Sequence, residues 1–156
     1  MNESNLVTCL NFSAHTILLV DDNSDDTYLF ERAWKSAGIT NPLAIVSDGD
    51  QAIAYLSGEG AFSDRTKYGL PLIVLVDLNM PRKNGFEFLE WVRQQPKFKN
   101  LTIEILTSSL RPMDVEQAFQ LGANAFFVKP GKFDDLVRLL RVWHQNACHK
   151  TFLSLR

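Results

Sequence analysis

Leu72-Ile73-Val74-Leu75-Val76-Asp77-Leu78-Asn79-Met80-Pro81 decides the fold of this chain. Five consecutive apolar residues, rich in β-branched side chains, read as a strand covered on both faces, which is the habit of parallel sheets. A carboxylate then follows at once, where the strand should emerge from the core. Thr16-Ile17-Leu18-Leu19-Val20, ahead of Asp21-Asp22, repeats that design. So do Ile103 to Leu106 ahead of Thr107-Ser108, and Ala125 to Val128 ahead of Lys129-Pro130. Leu43 to Val46 is a weaker strand of the same kind.

Between these runs lie segments of helical period, at about Asp25 to Ala37, Asp50 to Leu56, Gly85 to Arg93, Pro112 to Leu121 and Phe133 to Asn146. Gly38 and Gly122 stand where helix C-caps belong, and Pro112 where a helix begins. Five strands alternating with five helices predict an α/β fold, a doubly wound five-stranded parallel sheet with helices on both faces. Glu104 is the odd residue within its strand and marks a sheet edge or a surface contact. Ser57 to Leu70 is a polar, Gly-containing loop. The expected organisation is an extension over 1–13, one domain over 14–146 and a short tail over 147–156.

Composition agrees with a globular protein. The 156 residues are 46% apolar and 22% charged. No apolar run approaches the ~20 residues of a membrane helix, no basic head precedes an apolar start, and Cys9 and Cys148 make no disulfide framework. A cytoplasmic location is expected. Residues 1–31 hold six acids and no Lys or Arg, while 129–156 carry net +4. No basic face with interleaved aromatics accompanies this asymmetry, so no nucleic-acid or membrane partner is expected.

In a doubly wound sheet the functional crevice lies at the carboxyl ends of the strands. Asp21, Asp22, Asp77, Thr107 and Lys129 all fall there. Each alone has a plain explanation as a cap or turn residue; together they do not. Three carboxylates repel one another, and a hard divalent cation such as Mg²⁺ relieves that cost. Asp22 and Asp77 are the best direct ligands, with Asp21 acting through water. Asp77, central among them, is the expected nucleophile toward phosphorus, and Lys129 and Thr107 would neutralise phosphoryl charge.

Over about residues 14 to 146 the chain resembles the receiver domains of bacterial two-component response regulators. The resemblance rests on Asp21-Asp22, Asp77, Asn79-Met80-Pro81…Gly85, Thr107 at 30 residues after Asp77, and Lys129 at 52 after. It implies a flavodoxin-like receiver fold, a phosphoacceptor at Asp77, a metal site of Asp21, Asp22, Asp77 and the Asn79 carbonyl, and a switch pair of Thr107 and Phe126. Asn79 and Ser109 occupy positions that influence hydrolysis in relatives. Neither is a strong base, so slow autodephosphorylation is expected, without turnover of a free substrate. The long loop Ser57 to Leu70 is similar to that of short response regulators paired with phytochrome-type histidine kinases. Gly131-Lys132, where relatives carry a bulky apolar residue, departs from the family pattern.

The implied partners are a sensor histidine kinase or a histidine phosphotransfer protein. About ten residues follow the last helix, which predicts a single-domain regulator signalling by protein contact. A phosphorelay intermediate or phosphate sink, and a non-phosphorylated pseudo-receiver, are the alternatives. A haloacid-dehalogenase-type phosphatase would need an acid at Asn79, and a flavodoxin-like electron carrier would not place Asp21-Asp22-Asn23 beside a flavin phosphate. The wide apolar stripe Leu136, Leu139, Leu140, Val142 and Trp143 reads either as burial or as part of a homodimer surface. That surface would join the helix from Pro112, the strand from Ala125 and the helix from Phe133, extended by Phe152, Leu153 and Leu155. Phe30 and Trp34 read either as core or as a kinase-docking patch. Met80 and Met113 read as packing residues. His144, Cys148 and His149 lack a zinc pattern.

Overall fold

A computed structural model describes residue 3 and residues 11–154, the last four by backbone alone. Cys9 and Leu155 lie outside the described residues, as do the side chains of Phe152 and Leu153. The strands are β1 (Ile17–Val20), β2 (Leu43–Val46), β3 (Ile73–Val76), β4 (Thr102–Thr107) and β5 (Ala125–Val128). The helices are α1 (Ser24–Ser36), α2 (Gly49–Ser57), α3 (Gly85–Gln94), α4 (Pro112–Gln120) and α5 (Phe133–Ser154). All strand pairs are parallel, in the order β2-β1-β3-β4-β5. The order reverses between β1 and β3, which opens the crevice at their carboxyl ends.

The chain divides into two compact units. The first, Thr16–Ser24 with Leu43–Lys129, contains the whole sheet and α2, α3 and α4. Its core takes alternate residues of the strands, Leu18, Val20, Val74, Val76, Ile103 and Ile105, with Leu56 of α2, Phe88, Leu89 and Val92 of α3, and Ala118 of α4. Ile17, Leu19, Ile73 and Leu75, on the other face, are buried as well. That two-sided burial is why these strands read as unbroken apolar runs. β2, at one edge, is half exposed, which explains its weaker pattern.

Glu104 corrects an expectation. It lies neither at an edge nor at a surface, because β4 runs between β3 and β5 and the residue is 5% exposed. The loop after α2 is also more ordered than its composition suggests. Gly60–Phe62 forms a 3₁₀ turn, and Tyr55, Phe62 and Tyr68 make mutual ring contacts at 5.2 to 6.0 Å. Arg65 donates to the carbonyls of Tyr55 and Leu56 at 2.7 and 2.6 Å, satisfying the C-terminal end of α2. Met80 is buried as expected, but Met113 is 68% exposed and is not a packing residue.

The second unit takes the described residues up to His15, with Asp25–Pro42 and those from Pro130 onward. α5 continues to Ser154, so 147–154 belong to the helix and not to a separate tail. Ala147 and Cys148 are buried and extend the stripe of Leu140 and Trp143 by another turn. Phe30 and Trp34 are core residues, stacked at 5.6 Å and each under 5% exposed, which removes the docking-patch reading. Trp34 also meets Trp143 at 5.6 Å. In the α5 stripe Leu140 and Trp143 are buried, whereas Val142 is 55% exposed.

Candidate functional site

The site is built at the carboxyl ends of β1, β3, β4 and β5, wholly within the first unit. The ladder fixes its floor: Asp77 N–H donates to the Val20 carbonyl at 2.9 Å, and Asp21 N–H to that of Val46 at 3.0 Å. Thr107 pairs with Val128, and Lys129 N–H donates to the Thr107 carbonyl at 2.7 Å. Backbone pairing between neighbouring strands therefore delivers residues from four distant stretches of sequence to one end of the sheet.

Asp21, Asp22 and Asp77 each offer a carboxylate oxygen, and these atoms lie within 4.8 Å of one another. Among the described residues no other group of three His, Cys, Asp or Glu side chains is so arranged. Asp21 and Asp77 are buried, and Asp22 is exposed at the rim. Burial pushes the Asp21 carboxyl above its usual value. Lys129 and the Asn23 N–H, which donates to Oδ1 at 3.0 Å, pull the other way. Lys129 Nζ donates to Asp21 Oδ2 at 2.6 Å and to Asp77 Oδ2 at 3.0 Å. One ammonium so spans two of the three carboxylates.

The remaining expected residues stand on the loop after β3 and on β4 and β5. Asn79 N–H donates to Asp77 Oδ1 at 3.4 Å, turning the chain just after the strand. Thr107 is fully buried, and its Oγ1 accepts the Ser109 N–H at 3.4 Å. Phe126 is half-buried, paired with Ile105 in the ladder. The donor set is all hard oxygen, with one exposed carboxylate leaving access from solvent, and it fits Mg²⁺ or Mn²⁺.

Residues 17–141 match the response regulator receiver domain family. The chain belongs to that family. It is 32% identical over 125 residues to the response regulator Rcp1 of Synechocystis sp., spanning 80% of this chain and 83% of Rcp1. The Mn²⁺-bound structure of Rcp1 superposes with a TM-score of 0.72 at 31% identity, covering 82% of this chain and 90% of that one. The response regulator RPA3017 of R. palustris, described in red light signalling, gives 0.79 at 34% identity over 83% of this chain and 92% of that one. The phosphorylated cyanobacterial phytochrome response regulator RcpA gives 0.76 at 27% identity, covering 85% and 92%. Phosphorylation and binding of Mg²⁺ or Mn²⁺ at an acidic pocket are general in receiver domains, as is exchange with histidine kinases or phosphotransfer proteins.

Several features of this receiver escaped the sequence reading. A Cβ built on Gly85 would lie 2.3 Å from the Asp77 carbonyl oxygen, so the chain after the site can close only over a glycine. Gly49 N–H donates to the Lys83 carbonyl at 3.0 Å, and a Cβ there would meet that oxygen at 2.6 Å. Arg82 takes a left-handed conformation, φ 59°. Ser109 Oγ donates to Asp114 Oδ2. Gly85 was visible as a motif letter and its contacts were not; Gly49 carried no signal in the sequence.

Proposed function

We propose that this chain accepts a phosphoryl group from a phosphohistidine onto Asp77. The observation that supports it most is the Lys129 ammonium shared by Asp21 and Asp77 within a three-carboxylate cluster. An Asp77 carboxylate oxygen attacks phosphorus, the P–N bond breaks, and the imidazole leaves with a proton. Asp21, Asp22, Asp77 and the Asn79 carbonyl would hold Mg²⁺, which neutralises charge on the phosphoryl oxygens when bound. Lys129 exchanges part of its bond to Asp77 for a phosphoryl oxygen. The Thr107 hydroxyl then bonds a second oxygen, and Phe126 turns into the volume that Thr107 leaves, a population shift between two packings.

The chain acts on this reading as a phosphoacceptor that loses its phosphoryl group slowly, not as a turnover enzyme. The donor is a cytoplasmic histidine kinase of the phytochrome type, supported by the likeness to RcpA and RPA3017. Output is by protein contact, including a homodimer through residues of α4, β5 and α5. Met113 on α4 and Val128 on β5, within the first unit, are exposed apolar side chains suited to that role, as is Val142 on α5 within the second.

Intact-mass spectrometry after incubation with acetyl phosphate tests the chemistry. One phosphoryl adduct is expected with Mg²⁺, lost with EDTA and absent in Asp77→Asn. An adduct retained by Asp77→Asn would overturn the assignment.

A further inference from the structure

We propose that Asp114 is a positioning residue which, through Ser109, holds Thr107 in its resting place and so opposes the phosphorylated conformation. The inference rests on the receiver reading above. Ser109 is the middle of a short chain of hydrogen bonds. Its N–H donates to Thr107 Oγ1 at 3.4 Å, its Oγ accepts the Arg111 N–H at 3.3 Å, and its Oγ–H donates to Asp114 Oδ2. Asp114 lies in the first turn of α4 and is 9% exposed. Arg111, the N-cap of α4, makes no side-chain capping bond, so the entry to the helix is held by Ser109 instead.

The direction of the effect follows from which contacts each state keeps. For the Thr107 hydroxyl to reach a phosphoryl oxygen on Asp77, the loop 107–111 must move, and Oγ1 must leave the Ser109 N–H. Contacts made only at rest weight the equilibrium toward rest by their differential free energy. The bond from Ser109 to the Asp114 carboxylate is charge-assisted and partly buried, which makes it the strongest of the three. Removing it costs the resting state more than the switched one. Affinity for a phosphoryl group or its mimic then rises, because the competent state is more populated.

Beryllofluoride, which adds to an aspartate carboxylate as a phosphoryl mimic, reads this directly in a calorimetric titration with Mg²⁺ present. Asp114→Ala should bind it about tenfold more tightly than wild type, the scale of one charge-assisted hydrogen bond, with Mg²⁺ affinity unchanged. Asp114→Asn, which keeps an acceptor oxygen without the charge, should restore part of the difference and fall between wild type and Asp114→Ala. Should Asp114→Ala fail to fold, Ser109→Ala removes the same link and carries the same expectation. A gain of affinity with partial restoration by Asn is not what a merely structural loss produces. Equal or weaker beryllofluoride binding by folded variants overturns the proposal alone. Wild-type protein that takes up no beryllofluoride overturns the receiver reading and this proposal together.

Discussion

Gly85 sits against Asp77 so closely that a Cβ on the glycine would fall 2.3 Å from the Asp77 carbonyl oxygen and 2.9 Å from Leu78 Cα. Both neighbours are backbone, so nothing can rotate aside. The Gly85 N–H meanwhile donates to the Leu78 carbonyl at 3.1 Å, closing the loop that carries Asn79. Gly85→Ala must therefore displace the chain on which the phosphoacceptor stands. It should cost about 2 kcal/mol in urea unfolding and slow labelling by acetyl phosphate about tenfold or more. Unfolding midpoint and adduct formation, measured on the same preparation, check both.

Lys129 gives a prediction in which two readouts move in opposite directions. Its ammonium spans Asp21 and Asp77 at 2.6 and 3.0 Å and offsets carboxylate repulsion with the metal absent. In Lys129→Met that competing cation is gone, so Mg²⁺ should bind more tightly while phosphoryl transfer falls about a hundredfold. A Mg²⁺ titration beside a labelling time course separates the two. Loss of both would mean that Lys129 shapes the metal site.

The site was legible because each strand ends abruptly. Val20 to Asp21 and Val76 to Asp77 are steps from full apolarity to charge, and such a step marks where a covered strand leaves the core. Val128 to Lys129 shows the same step in the sequence on a half-exposed edge strand. Spacing along the chain was informative since the parallel ladder turns it into proximity. What failed depends on partners distant in sequence. Glu104 read as an edge residue because a carboxylate in a strand carries its own hydration cost, and the interior place of β4 is set by pairings outside it. The end of α5 was read at Asn146, as Ala147 and Cys148 have little apolar weight on their own. Ser109 and Asp114 look like turn and cap residues in a sequence, and only the fold aims one at the other.

The loop 57–70 is pinned by one side chain. Arg65 donates to Tyr55, Leu56 and Tyr68 carbonyls, beside the ring cluster of Tyr55, Phe62 and Tyr68. Arg65→Ala leaves the last carbonyls of α2 without those donors and should cost about 1–2 kcal/mol. Limited proteolysis should then cut within 57–70 much faster than in wild type. Mg²⁺ affinity should not change, since the cluster at Asp77 takes no part in these bonds.

His144 supplies a pH dependence whose sign is fixed by its surroundings. Asn41 donates through Nδ2 to the Phe12 and His15 carbonyls at 2.9 and 3.0 Å, which leaves its Oδ1 as an acceptor facing His144 Nε2 at 3.2 Å. The ring therefore carries its proton on Nε2, and it packs against Phe12 at 5.3 Å. Burial pulls the His144 pKa below its ordinary value, favouring the neutral ring in the folded protein. The unfolded chain, with the ordinary value of about 6.5, takes up that proton first on acidification. Stability from this residue is thus complete above that pH and is lost as pH falls toward the lowered folded value. His144→Gln keeps a donor for Asn41 without a titratable charge. Urea midpoints at about pH 7.5 and about pH 5.5 should fall further for wild type than for the variant; equal falls would mean that protonation of His144 is no costlier folded than unfolded.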